Sequence, residues 1–458
     1  YVPNNVVLVI AGDINVSQTK EWVKKYFDEI PAGPTIDKMA KRPSLLNETV
    51  KLYHEDNFAR VPALMYSWPT VERFHSDSYA LQVLTKYLTE GKNAPFYKVL
   101  VEENNLTDEI EMFNYDAEIA GETYLNVTAY PGFSLDQVAD VIEEAFERFE
   151  KEGISENDLN RIKAQQEVEF YESLSDVLGK SETLAEYYYL KGNPGYVTRD
   201  IQQMMSVTKA DVIKVYNTYF KNKPYVATSF VPKGQLDLMI TGSQMAEVVE
   251  EPIVEGAEED FDASQEVAYE KTPSKIKRDV EPPYGEKFTV KTPKIEEAKF
   301  NNGLQIMAIE NDEVPLVQFQ LIIDGGQKLE KVQGSAVLLA DQLIRGTAYK
   351  TAAELEDAIA QLGSSISVSS SKEQFILYGV ALKKNFKPTM QLVSEILLSP
   401  RWDEEELALN VSAKMATLDQ QKSSANTLSS LAYNSLLYGE SHVMAKNALG
   451  TEASLKAV

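Results

Sequence analysis

Segments of this chain match one another at a nearly constant separation of about 250 residues, and that self-similarity sets the architecture before any single motif does. Val61-Pro62, followed by the apolar run ALMYSW, matches Val314-Pro315 followed by LVQFQLIIDGG at a shift of 253. SYALQVLTKYLTEG matches GSAVLLADQLIRGT with Gly91 on Gly346, a shift of 255. The strand-like ETYLNVTAYPG and the helix-like DQVADVIEEAFERFEKEG correspond to EQFILYGVALKKN and PTMQLVSEILLSP. The acidic helix starts ISENDL and WDEEEL follow at a shift of 248, and Ala185 and Gly192 match Ala432 and Gly439 at 247. One such similarity is weak, but this many in one order and at one offset predict two copies of one folding unit.

Within each copy the pattern alternates between two periods. The segment holding Tyr124, Val127 and Ala129 reads as a strand, whereas Val138, Val141, Ile142 and Phe146 recur at helical spacing. Strand pairs followed by runs of helix predict an α+β fold: two homologous domains of about 200 residues, each a mainly antiparallel sheet covered by helices. The stretch 236–283 reads as an acidic linker between them. From Glu247 to Glu270 it carries ten acidic and no basic residues, too few apolar groups to offset the entropy of ordering.

Both ends of the chain read as parts of copies. Residues 1–30, YVPNNVVLVIAGDINVSQTKEWVKKYFDEI, predict a buried strand at Val6–Ile10, a turn at Gly12-Asp13 and a helix capped by Asn15 or Ser17. A similar strand stands at the far end of the first full copy, in TYFKNKPYVATSFVPKG, with Tyr219 in the place of Tyr1. A third counterpart is expected near position 467, past Val458. The expected organisation is therefore 1–36 as the tail of a preceding domain, 37–235 as a complete domain, and 284–458 as a further domain lacking its closing strand.

Composition excludes several classes of function. With no cysteine among 458 residues, disulfides, thiolate metal sites and cysteine nucleophiles are ruled out. A net charge of −25 with no Lys/Arg stripe gives no footprint for nucleic acid. No apolar run reaches the length of a membrane span. His54, His75 and His442 are the only histidines, none in pairwise ligand spacing.

Three stretches carry a resemblance to a known family. YVPNNVVLVIAGD is similar to an end-of-domain signature of the pitrilysin/insulinase metallopeptidases, FNNGLQIMAIENDEVPLVQFQLIIDGG is similar to their domain-opening strands, and GSAVLLADQLIRGT resembles the helix bearing their inverted His-x-x-Glu-His motif. The resemblance implies four related domains in two halves closing around a peptide chamber. It also implies zinc on the odd-numbered domains, where two imidazoles on one helix face hold the metal and the glutamate activates a bound water.

In this chain the motif positions hold Val337, Ala340 and Asp341. Valine and alanine have no lone pair to give, so the resemblance implies a site that has lost its metal. A third ligand is implied on a later helix, where SAKMATLDQQKSS places Ala416, Thr417 and Leu418. The family's substrate-contacting Arg and Tyr fall in APFYKVLVEENNLTDEI at Val101 and Asp108, so that both contacts are absent.

Other candidates read as structural. Leu178-Gly-Lys-Ser mimics the end of a phosphate loop, but the earlier glycine it needs is Leu174. Asn126-Val-Thr and Asn410-Val-Ser fit glycosylation sequons. Tyr187, Tyr188 and Tyr189 could form an aromatic platform, though helical packing with outward hydroxyls explains them.

The expected function is that of a non-catalytic section of a zinc endopeptidase. It has no catalytic or metal-binding residue of its own, and its zinc and its hydrolytic water belong to a preceding domain of a longer parent. The alternative is an inactive family member serving as a partner or peptide-binding subunit. Expected partners are a peptide or unfolded polypeptide, other domains of the same polypeptide, and a second copy that exchanges residues 1–30. An exported, periplasmic location is expected from the family's Gram-negative members of similar build.

Overall fold

The computed structural model describes residues 2–248, 273–281, 289–422 and 424–458, the side chain of Gln420 excepted. Most of the acidic run Glu247–Glu270 lies outside them. From the N-terminus the chain forms α1 (Val16–Phe27), β1 (Val50–Asp56), β2 (Ala63–Thr70), α2 (Ser76–Thr89), a π-helix at Tyr97–Glu103, β3 (Glu109–Asp116) and β4 (Gly121–Thr128). Helices α3 (Leu135–Glu152), α4 (Glu156–Ser173), α5 (Val177–Lys191), α6 (Val197–Ser206) and α7 (Lys209–Tyr219) follow, then β5 (Val226–Pro232) and β6 (Gln244–Met245). The second half runs β7 (Glu296–Lys299), β8 (Gln305–Ala308), β9 (Leu316–Asp324), α8 (Ser335–Leu343), α9 (Ala352–Gln361), β10 (Ser364–Ser370) and β11 (Gln374–Leu382). It ends with α10 (Phe386–Leu398), α11 (Glu404–Gln421), α12 (Ala425–Tyr438) and α13 (Glu452–Leu455).

These elements divide into two compact units. One comprises Tyr1–Ala40, Leu174–Tyr196 and Met245–Val314, and holds α1, α5 and the β7–β8 hairpin. In it, Asn15 caps α1 by accepting the Gln18 N–H at 3.1 Å, as the sequence indicated. The strand expected at Val6–Ile10 does not form. Those residues have no ladder partner among the described residues, and Val6 and Leu8 are more than half exposed. An apolar run favours burial, but a strand exists only where an edge is present to pair with it.

The larger unit comprises Lys41–Ser173, Val197–Gln244 and Pro315–Val458. Its first sheet has the order β3-β4-β2-β5-β1-β6; the β3–β4, β4–β2 and β2–β5 pairs are antiparallel and β1 runs parallel to β5. Period-two alternation turns Leu64, Tyr66 and Trp68 of β2, and Leu125 and Val127 of β4, into one core. Helix α2, buried along most of its length, packs on that face. Helix α3 adds Val138, Ile142, Ala145 and Phe149, opens with a Ser134–Gln137 capping box, and ends at Gly153. Ile240 is also buried here, and Thr241 holds Asp136 through both its N–H (2.8 Å) and its hydroxyl (2.6 Å), so the packed region runs past residue 235.

The second sheet, β10-β11-β9, repeats the order β3-β4-β2 with the same antiparallel pairing. Its core is Ala340, Leu355, Val368, Leu377, Leu392, Val393 and Ile396. Within this unit α4 joins the two sheets. Val168 meets Val380 and Leu382, and Gly363, at φ +54°, lies so close that a Cβ there would stand 2.7 Å from the Ala164 carbonyl. Polar links flank that contact: Lys92–Glu406 at 2.5 Å, Asn93–Asp357 at 2.6 Å and Lys384–Glu167 at 2.8 Å. Mixed sheets covered by helices match the α+β class read from the sequence.

Candidate functional site

The place to look for chemistry is the pair α8 and α11, where the motif positions fall. Gly334, at φ +88°, turns the chain into α8, and the Glu330 carboxylate receives the Ala336 N–H at 2.9 Å. Helix α11 opens on Asp403, whose Oδ1 accepts the N–H groups of Glu405 (3.0 Å) and Glu406 (3.3 Å). The Arg401 side chain, with those amides, holds the Asp403 carboxyl below its usual range. Gln342 Nε2 donates to the Asp403 carbonyl at 3.2 Å and so ties the end of α8 to the start of α11.

Each position to which the family resemblance assigns a ligand or the catalytic glutamate has a physical occupant. Val337 packs with Leu338, Val411, Met415, Leu418, Leu449 and Leu455 in one apolar cluster. Ala340 is buried in the main core of this sheet. Asp341 Oδ2 stands 2.5 Å from Lys414 Nζ, both side chains about three-quarters buried. Of Ala416, Thr417 and Leu418, it is Leu418 that meets α8, being buried in the Val337 cluster, while the Thr417 hydroxyl turns back to the Ala413 carbonyl at 3.0 Å. Zinc requires lone pairs where this site has methyl groups, and it would meet an ammonium cation at Asp341. The residues present do not fit the metal.

The corresponding helices of the first sheet show the same device with its polarity reversed. At the shift of 255, Val337, Ala340 and Asp341 fall on Gln82, Thr85 and Lys86 of α2. Lys86 Nζ reaches Glu169 on α4 at 2.9 Å and Glu90 at 3.4 Å. Burial pushes the Lys86 ammonium down, but the two carboxylates outweigh it and its pKa is raised. In both blocks one lysine–carboxylate pair clamps the helix pair.

The remaining candidates are accounted for locally. Val101 lies in the π-helix. Asp108 meets the phenol of Tyr130, whose pKa is raised by burial and by the Asp108 carboxylate, so a tyrosine the sequence did not single out stands beside it. His75 Nδ1 caps α2 by accepting the Asp77 N–H (3.1 Å), His54 lies 5.5 Å from the Phe230 ring, and His442 accepts the Met444 N–H (3.2 Å). At Leu178-Gly-Lys-Ser, the Asp176 carboxylate already takes the Gly179 N–H at 2.8 Å and Lys180 pairs with Glu313, which leaves no anion cradle. Tyr187 is buried against Tyr196, whereas Tyr188 and Tyr189 are half exposed. Asn410 is buried, which excludes a glycan there. A cavity of about 370 Å³ borders the Val337 cluster, lined by Leu418, Leu428, Leu431, Asn447 and Thr451 among others. No group of three metal-ligating side chains occurs among the described residues, and none of their helices is long and apolar enough to cross a membrane.

Two family models match separate parts of the chain. Residues 1–166 match the family model "Peptidase M16 inactive domain", and residues 306–445 match "Insulinase (Peptidase family M16)". Zinc protease PqqE of Helicobacter pylori is 26% identical over 234 residues, covering 48% of this chain and 50% of that protein. Among solved structures, a protease from Helicobacter pylori aligns at TM-score 0.43 and 21% identity, over 48% of this chain and 54% of the other. The periplasmic protease PqqL from Escherichia coli aligns at TM-score 0.40 and 15% identity, over 97% and 50%. The chain spans half the length, or less, of the curated relatives it matches.

Proposed function

Because the chain belongs to the insulinase family of peptidases, family M16, we propose that it is a non-catalytic section of a zinc-dependent endopeptidase and forms part of the wall of a peptide-enclosing chamber. The observation that carries this reading is the filling of the α8–α11 site, Val337 against Leu418 and Asp341 against Lys414, where the family resemblance puts a metal. Hydrolysis is assigned to a domain of the parent outside these residues. The inactive-domain match over residues 1–166 and the half-length coverage of the relatives support that placement.

In this reading residues 1–36 are the tail of the catalytic domain, 37–235 a second, inactive domain, 236–283 the acidic linker, and 284–458 a third domain repeating the second. Its ligand is a peptide or unfolded polypeptide, and residues 1–30 mediate self-association, for which the exposure of Val6 and Leu8 speaks. The parent is exported to the periplasm, which cell fractionation tests.

The deciding assay compares the purified chain with its longer parent on quenched fluorescent peptides. Chelator-sensitive turnover by the parent and none by the chain is the expected result; zinc-dependent turnover by the chain alone overturns the proposal. The same filled site also suits the second reading, a parent that is wholly inactive and acts as a partner subunit. An intact His-x-x-Glu-His in the parent's preceding domain decides against it.

A further inference from the structure

The first sheet buries one face in its core and leaves the other exposed. On β3, Ile110 and Met112 turn to the core, so alternation sets Glu109, Glu111, Phe113 and Tyr115 in a line on the outer face. The register carries that face across the sheet, with Glu111 opposite Asn126 and then Met65, and Phe113 opposite Tyr124 and then Ser67. Both glutamates are exposed, Phe113 and Tyr115 are 39% and 57% exposed, and the Phe113 and Tyr124 rings lie 5.2 Å apart. Glu122 of β4 completes the face, accepting hydrogen bonds from the Ser67 hydroxyl at 3.2 Å and from the Tyr124 hydroxyl.

Strands β2, β3, β4 and β5 contain no lysine or arginine, so their own side chains offer these glutamates no cation. The fold does not demand such a face. On the second sheet the equivalent line on β10 is Ser365, Ser367 and Ser369, opposite Val380, Tyr378 and Ile376 of β11 and then Gln318, Gln320 and Ile322 of β9, with no charge among them. Part of that face is also covered, since Val380 packs on Val168 of α4. Glutamates alone would keep the first face soluble, but exposed rings set beside them work against that end.

We propose that the outer face of β3 and β4 holds an extended polypeptide with basic side chains at alternate positions, followed by apolar or aromatic ones. Glu109 and Glu111 stand two residues apart on one strand, about 6.8 Å, which is also the spacing of alternate side chains in an extended peptide laid along β3. Two lysine or arginine side chains then meet the two carboxylates, and the next alternate side chains reach Phe113 and Tyr115, on whose rings apolar groups or a guanidinium pack. Each ion pair is solvent-exposed and modest, so the grip is shared among several contacts and is sensitive to salt. This rests on the reading of the chain as a wall that holds peptide, and it names the class of peptide.

Fluorescence anisotropy on the full chain compares labelled peptides of equal length: one with alternate lysines followed by alternate phenylalanines, one with glutamate for lysine, and one with glutamine. The lysine peptide should bind, more weakly as salt is raised, and the glutamate peptide should not. Glu109→Gln/Glu111→Gln should weaken the lysine peptide about five-fold and Tyr115→Ser about two-fold. Glu404→Gln/Glu405→Gln, which removes the same charge from an exposed part of α11, should leave it unchanged. Equal losses in the two double variants, or none in Glu109→Gln/Glu111→Gln, overturn this face as the site. Self-association of the chain that Tyr115→Ser abolishes assigns the face to a second copy and overturns it too. A glutamine peptide that binds as tightly as the lysine peptide overturns the basic class and leaves the peptide-holding reading standing; binding of none of the peptides overturns both.

Discussion

Lys414 Nζ lies 2.5 Å from Asp341 Oδ2, bridging α11 to α8 at the position where the family resemblance expects a metal-bound imidazole. The cation at that point is supplied by the protein itself. The pair ties the two helices together, and the apolar cluster around Val337 and Leu418 packs beside it.

The first prediction concerns that pair. With about a quarter of each side chain exposed, solvent weakens the attraction, and Asp341→Ala or Lys414→Ala alone should cost about 1 kcal/mol. Replacing both by leucine should be nearly neutral, because no charge is then left unpaired. Urea unfolding of the two single variants and the double variant checks this.

Restoring the chemistry should take more than two histidines. Val337→His/Asp341→His leaves Leu418 in place of a third ligand and Lys414 repelling the metal, so no tight zinc or cobalt binding is expected. Adding Leu418→Glu and Lys414→Ala should create a site at least about ten-fold stronger. Cobalt absorption in the tetrahedral region reads both outcomes, and binding by the two-histidine variant would show that Leu418 is not the missing ligand position.

Two buried aspartates should give opposite pH responses. Burial raises the Asp77 carboxyl, but Lys214 at 2.7 Å and Tyr219 at 2.9 Å outweigh it, and its pKa is lowered. Its stabilisation is present above the unfolded-state pKa and is lost as pH falls through the lowered value. Asp77→Asn should therefore cost about 1–3 kcal/mol near neutrality and less in acid. Asp116 is the reverse: burial raises its pKa in spite of Arg73 at 3.2 Å, so its contribution is present below the unfolded-state pKa and is lost as pH rises through the raised value. The Tm of Asp116→Asn relative to the unmodified chain should improve from about pH 4 to about pH 7, while that of Asp77→Asn worsens.

Gly379 of β11 faces Phe319 of β9 so closely that a Cβ would lie 2.3 Å from the ring. Gly379→Ala should displace Phe319 and cost about 1–3 kcal/mol by overpacking. A companion Phe319→Leu change that restores part of the loss would assign the cost to this contact, and a neutral Gly379→Ala would remove it.

The α+β class was legible because helical and strand periods show within single segments. Val138 and Ile142 of α3 lie on the buried face that their spacing implied, and Asn15 caps α1. At Val337 and Asp341 the sequence shows side chains other than the histidines of the motif it resembles. What packs against them was not legible. Lys414 lies far from Asp341 in sequence, and only the packing of α11 on α8 brings them together. The Tyr130–Asp108 contact was hidden for the same reason. Val6–Ile10 was read as a strand from its apolar side chains, which report the wish for burial and say nothing of whether an edge is there to receive it.

The most direct test of the central claim is zinc titration of the purified chain by calorimetry, followed by metal analysis after dialysis. The filled α8–α11 site predicts no stoichiometric uptake and a Tm that zinc does not raise. Stoichiometric, tightly held zinc that is lost on replacing Asp341 would contradict it.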